Sequence, residues 1–153
     1  MTIYLVRHAK AGSRRGWSAD DDLRPLATAG HRQAESIADA LVDAGVQQLV
    51  SSPFVRCRQT LDPLAQRLRL PLELSDALAE GASLTDTLRL LEKVTAETAA
   101  LCTHGDVVAN VIGHLERAGV PIDDERLEKG SIWVLDTRDG DIFGAHYLPP
   151  RAA

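Results

Sequence analysis

Ile3-Tyr4-Leu5-Val6-Arg7-His8-Ala9, near the N-terminus, decides how this chain is expected to fold. Ile3 to Val6 is a short apolar run that stops abruptly at Arg7 and His8. Such a run reads as a strand buried on both faces, the habit of a central strand in a parallel sheet. In open α/β sheets, ligands bind outside the carboxyl ends of the strands. Arg7 and His8 therefore stand where a site is expected, and the other strand ends have to be read with them.

Lys10 to Pro25 is a polar stretch holding Gly12, Gly16 and Asp20-Asp21-Asp22, a long loop for a chain of 153 residues. Long loops in compact folds often carry function. Lys10, Ser13, Arg14 and Arg15 on this one are candidate substrate contacts. Thr28 is placed to cap a helix running toward Ala44, with Ala34, Ile37 and Leu41 on one stripe and Gly45 as its stop. Gln48 to Ser51 reads as a second strand, after which Ser52-Pro53 supplies a cap and a first-turn proline for a helix reaching Arg67. Leu70 to Leu74 is a third strand, and Ser83 to Lys93 has helical spacing through Leu84, Leu88 and Leu91. Ala99 to Thr103 is a fourth strand, followed by a helix with Val108, Val111, Ile112 and Leu115 on one face. Two closing strands, Ile132 to Thr137 and Ile142 to Tyr147, flank the turn signal Asp139-Gly140. Strands alternating with amphipathic helices predict an α/β layer fold with a largely parallel sheet, one domain over 1–153.

Composition narrows the function classes. At 44% hydrophobic and 25% charged, the chain resembles an ordinary globular protein, not a disordered one. A net charge of −5 without a basic stripe argues against nucleic acid as partner. No apolar run approaches the ~20 residues of a membrane span, and the N-terminus is too soon interrupted by charge for a signal peptide, so the expected location is cytoplasmic. Cys57 and Cys102 make no CxxC pair and begin no cysteine-phosphatase signature, so they read as reduced, partly buried thiols. The histidines at 8, 31, 104, 114 and 146 show no close pair at zinc-type spacing, so no metal site is expected.

Four predicted strand ends bring chemistry to one sheet edge. They supply Arg7-His8, then Ser51-Ser52-Pro53 with Arg56 one turn on, then Glu80-Gly81, and finally His104-Gly105. The set suits phosphoryl transfer, in which negative charge spreads over three equatorial oxygens. Arginine forks meet such oxygens in pairs. A neutral imidazole is a competent nucleophile near pH 7, and neighbouring arginines favour that neutral form. A carboxyl such as Glu80 suits protonation of the leaving oxygen.

Leu5-Val6-Arg7-His8-Ala9 resembles the Arg-His signature of the histidine phosphatase superfamily, which includes the cofactor-dependent phosphoglycerate mutases. Ser51-Ser52-Pro53-Phe54-Val55-Arg56-Cys57-Arg58-Gln59-Thr60 resembles its second motif, and His104-Gly105 matches its second catalytic histidine. Arg24-Pro25-Leu26, Gly30 and Gln33-Ala34 fit as well. The resemblance implies a three-layer α/β/α sandwich around a mostly parallel six-stranded sheet with one antiparallel strand. It implies His8 as the nucleophile of a metal-independent phosphatase, forming a phosphohistidine by chemistry that needs no cofactor either. Arg7, Arg56, His104 and Gly105 would bind the phosphoryl group, and Glu80 would match the proton donor.

Within the superfamily, the short length is similar to the bacterial SixA-type phosphohistidine phosphatases. Arg56-Cys57-Arg58-Gln59-Thr60 and Lys129-Gly130-Ser131-Ile132-Trp133-Val134-Leu135 also resemble the phosphatase domain fused to actinobacterial Nudix hydrolases. Two departures stand out. Ala9-Lys10 replaces the Gly-Glu that follows Arg-His in many members, and the stretch between Glu80 and His104 is too brief for the cap that encloses small substrates in the mutases. An open site favours a phosphohistidine protein as substrate. A nucleotide or other small phosphorylated molecule, or a non-catalytic module that binds phosphorylated ligands, are the alternatives.

Overall fold

The computed structural model describes residues 1–151. One six-stranded sheet runs through it, with β1 (Thr2–Arg7), β2 (Gln48–Ser51), β3 (Leu72–Leu74), β4 (Ala99–Thr103), β5 (Ile132–Arg138) and β6 (Asp141–Leu148) in the order β3-β2-β4-β1-β5-β6. β3, β2, β4 and β1 are parallel neighbours, while β5 runs antiparallel to both β1 and β6. β5 is the one antiparallel strand that the family resemblance implies.

Side-chain alternation along the strands sorts the core into two halves. Ile3 and Leu5 of β1 and Ala99 and Leu101 of β4 face α3 (Leu84–Val94) and α4 (Gly105–Arg117), where Leu91, Val94, Val108 and Val111 close the packing. Val6, Ala100 and Cys102 face the other way, onto α1 (Thr28–Leu41) and α2 (Val55–Leu68) through Ile37, Leu41, Cys57, Leu61 and Leu64. Two helices on each face of the sheet make the three-layer α/β/α sandwich. Both cysteines are free and fully buried.

Three local expectations are corrected. α1 does begin at Thr28, but the capping position is Ala27 and no side chain caps the helix; the helix also ends at Leu41, before Ala44. α2 begins at Val55 with Phe54 at the cap position, not at Ser52-Pro53, because the Ser52 hydroxyl is used elsewhere. β3 shrinks to Leu72–Leu74, since Arg69 takes a left-handed backbone (φ 56°) and Leu70 N–H turns back to Ala65 O to close α2.

The parallel register carries the site. Arg7 pairs with Thr103 and Ser51 with Cys102, and the ladder continues one residue further, with His8 N–H on Thr103 O and Ser52 N–H on Cys102 O, both at 2.9 Å. His8, Ser52 and His104 thus leave adjacent strands at the same edge.

Candidate active site

His8 lies at the floor of a cleft of about 440 Å³, with 7% of its surface exposed. Its Nδ1 is 2.8 Å from Ala9 O. A carbonyl only accepts, so Nδ1 carries the hydrogen and Nε2 keeps its lone pair. Burial, reinforced by the positive field of His104, Arg56 and Arg7, pushes the His8 pKa down to about 3 despite that bond. The ring is therefore neutral at pH 7 with Nε2 ready to attack. Ala9 N–H donates to Thr60 Oγ1 at 3.0 Å, and that hydroxyl donates to Arg56 O at 2.7 Å. One threonine thus fixes the His8 turn against the helix that carries Arg56.

Arg7 donates through Nη1 to Leu127 O at 2.8 Å, and its guanidinium lies flat against Gly105. A Cβ at residue 105 would stand 2.9 Å from Arg7 Cζ, which is why glycine occupies that position. Arg56 is 1% exposed and rests against Phe54, 4.9 Å from the ring centre. His104, likewise buried, stands edge-on to His8 with ring centres 5.4 Å apart. Its Nε2 meets Ser52 Oγ at 2.9 Å and Cys57 Sγ at 3.5 Å. The Ser52 hydroxyl accepts from Phe54 N–H and is free to donate to Nε2. With Nε2 accepting that bond, the His104 hydrogen sits on Nδ1.

Arg7 Nε, Arg56 Nε and His104 Nδ1 are all buried without any hydrogen-bond partner. Such orphans are rare and costly in a folded protein. Here three of the four such atoms among the described residues belong to residues whose field acts on His8; the fourth, Ser131 Oγ, is not among the residues that line the cleft. Three unpartnered donors on the residues packed around His8 are the arrangement a phosphoryl group would complete.

Residues 3–84 match the family model described as histidine phosphatase superfamily (branch 1). The chain belongs to this superfamily. The 8-oxo-(d)GTP phosphatase of Mycolicibacterium smegmatis is 38% identical over 155 residues, covering 97% of this chain and 48% of that protein. The chain thus spans about half the length of that relative. Phosphohistidine phosphatase SixA of Escherichia coli is 31% identical over 121 residues, 78% of this chain and 70% of that protein. A structure of the protein histidine phosphatase SixA complexed with tungstate superposes with a TM-score of 0.77 at 20% identity, covering 99% of this chain and 97% of that one.

In this superfamily member the cleft is lined by Arg7, His8, Arg56, Glu80, His104 and Gly105 from the strand ends, and by Ser13 and Arg14 from the long loop. Lys10 and Arg15, expected on the same loop as substrate contacts, do not line it. The Lys10 N–H is instead tied to Gln33 Oε1 at 2.8 Å, toward α1. Glu80 Oε1 lies 3.5 Å from Arg14 Nη2 and 3.7 Å from Arg56 Nη2.

Four further residues were not expected at the site. Asp21, in a 3-10 turn (Asp21–Leu23), binds Arg56 and Arg24, and hydrogen bonds from both guanidinium groups hold its carboxyl below the usual range although burial opposes this. Arg24, also buried, lines the cleft. Asp106, at the start of α4, accepts Gly81 N–H at 2.8 Å and so anchors the Glu80 loop. Lys129 lines the cleft as well. Asp106 directly follows a motif residue and was legible by adjacency; Asp21 meets Arg56 across 35 residues and carried no local signal. Among the described residues, no three His, Cys, Asp or Glu side chains gather as a metal site, and no helix is long and apolar enough to cross a membrane.

Proposed function

We propose that this protein is a phosphatase that works through a phosphohistidine on His8 and needs no metal. The observation that carries this reading is the set of three unpartnered buried donors, Arg7 Nε, Arg56 Nε and His104 Nδ1, around the neutral His8 ring. In the first step, His8 Nε2 bonds to phosphorus while the bond to the leaving group breaks on the opposite side. The leaving oxygen keeps the electron pair and takes a proton from Glu80. In the second, water attacks the same phosphorus, the P–N pair returns to Nε2, and the water's proton passes to the Glu80 carboxylate. The guanidinium groups and His104 hold the equatorial oxygens in both steps, the part a metal ion plays in other phosphatases.

Two substrate classes suit this chemistry. Similarity to SixA and an uncapped cleft support a phosphohistidine protein, the class the sequence favours. The higher identity to the 8-oxo-(d)GTP phosphatase supports a nucleotide phosphate.

The test is turnover of an aryl phosphate with a chelator present throughout, together with quench trapping of the phosphoenzyme. The trapped phosphate should be lost in acid and kept in base, as a phosphoramidate behaves. His8→Ala should abolish the label and slow turnover by at least about 1000-fold. Near-normal turnover by that variant would overturn the assignment.

A further inference from the structure

Lys129 is clamped beside the catalytic pair by its own backbone. Gly130 N–H is shared between Arg7 O and His8 O at 3.1 Å each, and Lys129 O accepts from Gln33 Nε2 at 3.3 Å. Gly130 turns through a left-handed backbone, φ 82°, against the Gln33 amide. The side chain lines the His8 cleft and belongs to no ion pair among the described residues. Burial, together with the like charges of Arg7, Arg24, Arg14 and Lys10, lowers the Lys129 pKa.

The cations of the cleft divide by depth. Arg7 and Arg56 line the cleft with the buried His8 and carry unpartnered, buried Nε atoms. Arg24 is spent on Asp21 and Gly12 O. Lys129 and Arg14 remain, both exposed, with the Arg14 side chain 70% open to solvent and held only by Glu80 and Asp21 at 3.5 and 3.9 Å. In-line displacement puts the leaving group opposite the attacking nitrogen. With His8 at the floor, the leaving group points to the mouth, where these two cations stand. One phosphoryl group satisfies the floor and leaves Lys129 without a counter-ion and Arg14 with only its exposed contacts to Glu80 and Asp21.

We propose that Lys129 and Arg14 form a second anion subsite, and that the substrate fills it with a second phosphate, as a nucleoside diphosphate does. The proposal rests on the His8 reaction above and names its substrate class. His8 Nε2 attacks the terminal phosphorus. The bond from that phosphorus to the bridging oxygen breaks, and the electron pair stays on the bridging oxygen, which becomes a terminal oxygen of the departing nucleoside monophosphate. Water then releases orthophosphate and restores His8. A phosphate monoester has a second pKa near about 6 and leaves as an anion without a proton. Lys129 and Arg14 are placed to hold that anion as its charge grows.

The test compares guanosine diphosphate, guanosine monophosphate, 3-phosphoglycerate, an aryl phosphate and a histidine-phosphorylated protein on the wild-type chain, Lys129→Ala, Lys129→Arg and Arg14→Ala. The wild type should prefer the diphosphate to the monophosphate by about 10-fold or more in kcat/KM, the scale of one charge-assisted contact. Lys129→Ala and Arg14→Ala should raise KM for the diphosphate at least about 10-fold more than KM for the aryl phosphate, and Lys129→Arg should recover most of the loss. A wild type that forms phosphoenzyme without preferring the diphosphate would overturn this proposal alone. So would equal effects of Lys129→Ala on all substrates, or a Lys129-dependent preference for 3-phosphoglycerate or the phosphoprotein. Loss of phosphoenzyme formation with every substrate would instead remove the His8 reading beneath it.

Discussion

Asp21 caps Arg56. Its carbonyl accepts from Nη1 at 2.8 Å and its carboxylate from Nη2 at 3.0 Å, so both terminal nitrogens of the buried guanidinium are engaged and only Nε is left without a partner. The pair holds the long loop over the site and aims the arginine. It also places a negative charge beside the position a phosphoryl group would take. Asp21 is therefore both a positioning group for Arg56 and a competitor of the substrate.

Asp21→Asn keeps an acceptor for Nη2 and removes the charge. We expect KM for an aryl phosphate to fall by about 3-fold to 10-fold with kcat little changed, the size expected when a screened like charge is removed. Asp21→Ala should instead lower kcat, because Arg56 loses its aim. Steady-state kinetics on both variants separates the two roles. A rise in KM for Asp21→Asn would mean that Asp21 only positions.

The depressed pKa of His8 sets a pH dependence with a definite sign. Below the ordinary histidine value of 6.5 the unfolded chain takes a proton at this residue, whereas the folded protein refuses one until about 3. The native state therefore loses stability at this residue as pH falls through that window. His8→Gln cannot titrate and should lose less stability than the wild type between pH 6.5 and pH 4, as read by denaturant unfolding. Turnover follows the same group: kcat/KM, corrected for ionisation of the free substrate, should hold below pH 5. A corrected enzyme pKa near 6 would contradict a neutral, buried nucleophile.

Much of this was legible in the sequence, for a physical reason. Strands ending abruptly in polar residues, such as Val6 before Arg7 and Thr103 before His104, mark both the sheet and its functional edge, so fold and site came from the same residues. Ser52-Pro53 misled, because its capping pattern is local while the hydroxyl is claimed by His104, 52 residues away, at 2.9 Å. Asp21 was hidden similarly: its partner Arg56 lies 35 residues on, and nothing around Asp20-Asp21-Asp22 says which carboxylate turns inward. Lys10 and Arg15 failed from the opposite cause. Ala11, Gly12, Ser13 and Arg14 all reach the cleft while their neighbours Lys10 and Arg15 do not line it, and only the folded loop shows where that run begins and ends.

Gly105 gives a test in which stability and activity move apart. A Cβ there would meet Arg7 Nη2 at 2.9 Å and Nε at 3.0 Å, so the guanidinium must shift. Alanine is otherwise the better residue in a helix, by about 0.5–1 kcal/mol. Gly105→Ala should keep or slightly raise the Tm while kcat/KM drops by about 10-fold or more, the cost of misplacing one charged contact. Equal losses of Tm and activity would show that the glycine serves packing alone.

Glu80 carries the last prediction, because the structure supplies a rival. Glu80 lies at the cleft between Arg14 and Arg56, and Asp106 lines the same cleft while holding the Gly81 amide. A proton donor matters most for poor leaving groups and little for an activated aryl phosphate. If Glu80 donates, Glu80→Gln should slow alkyl phosphate hydrolysis by about 100-fold or more and aryl phosphate hydrolysis far less. Asp106→Asn should then slow both alike, since it loosens the loop that carries Glu80 without removing the acid. The reverse pattern, with leaving-group dependence in Asp106→Asn only, would move the role to Asp106. Small and equal effects from both variants would leave the cleft without a carboxyl donor, as suits a substrate whose leaving group departs unaided: a protonated imidazole or the phosphate of a nucleoside monophosphate. The substrate comparison on Lys129→Ala then tells those two apart.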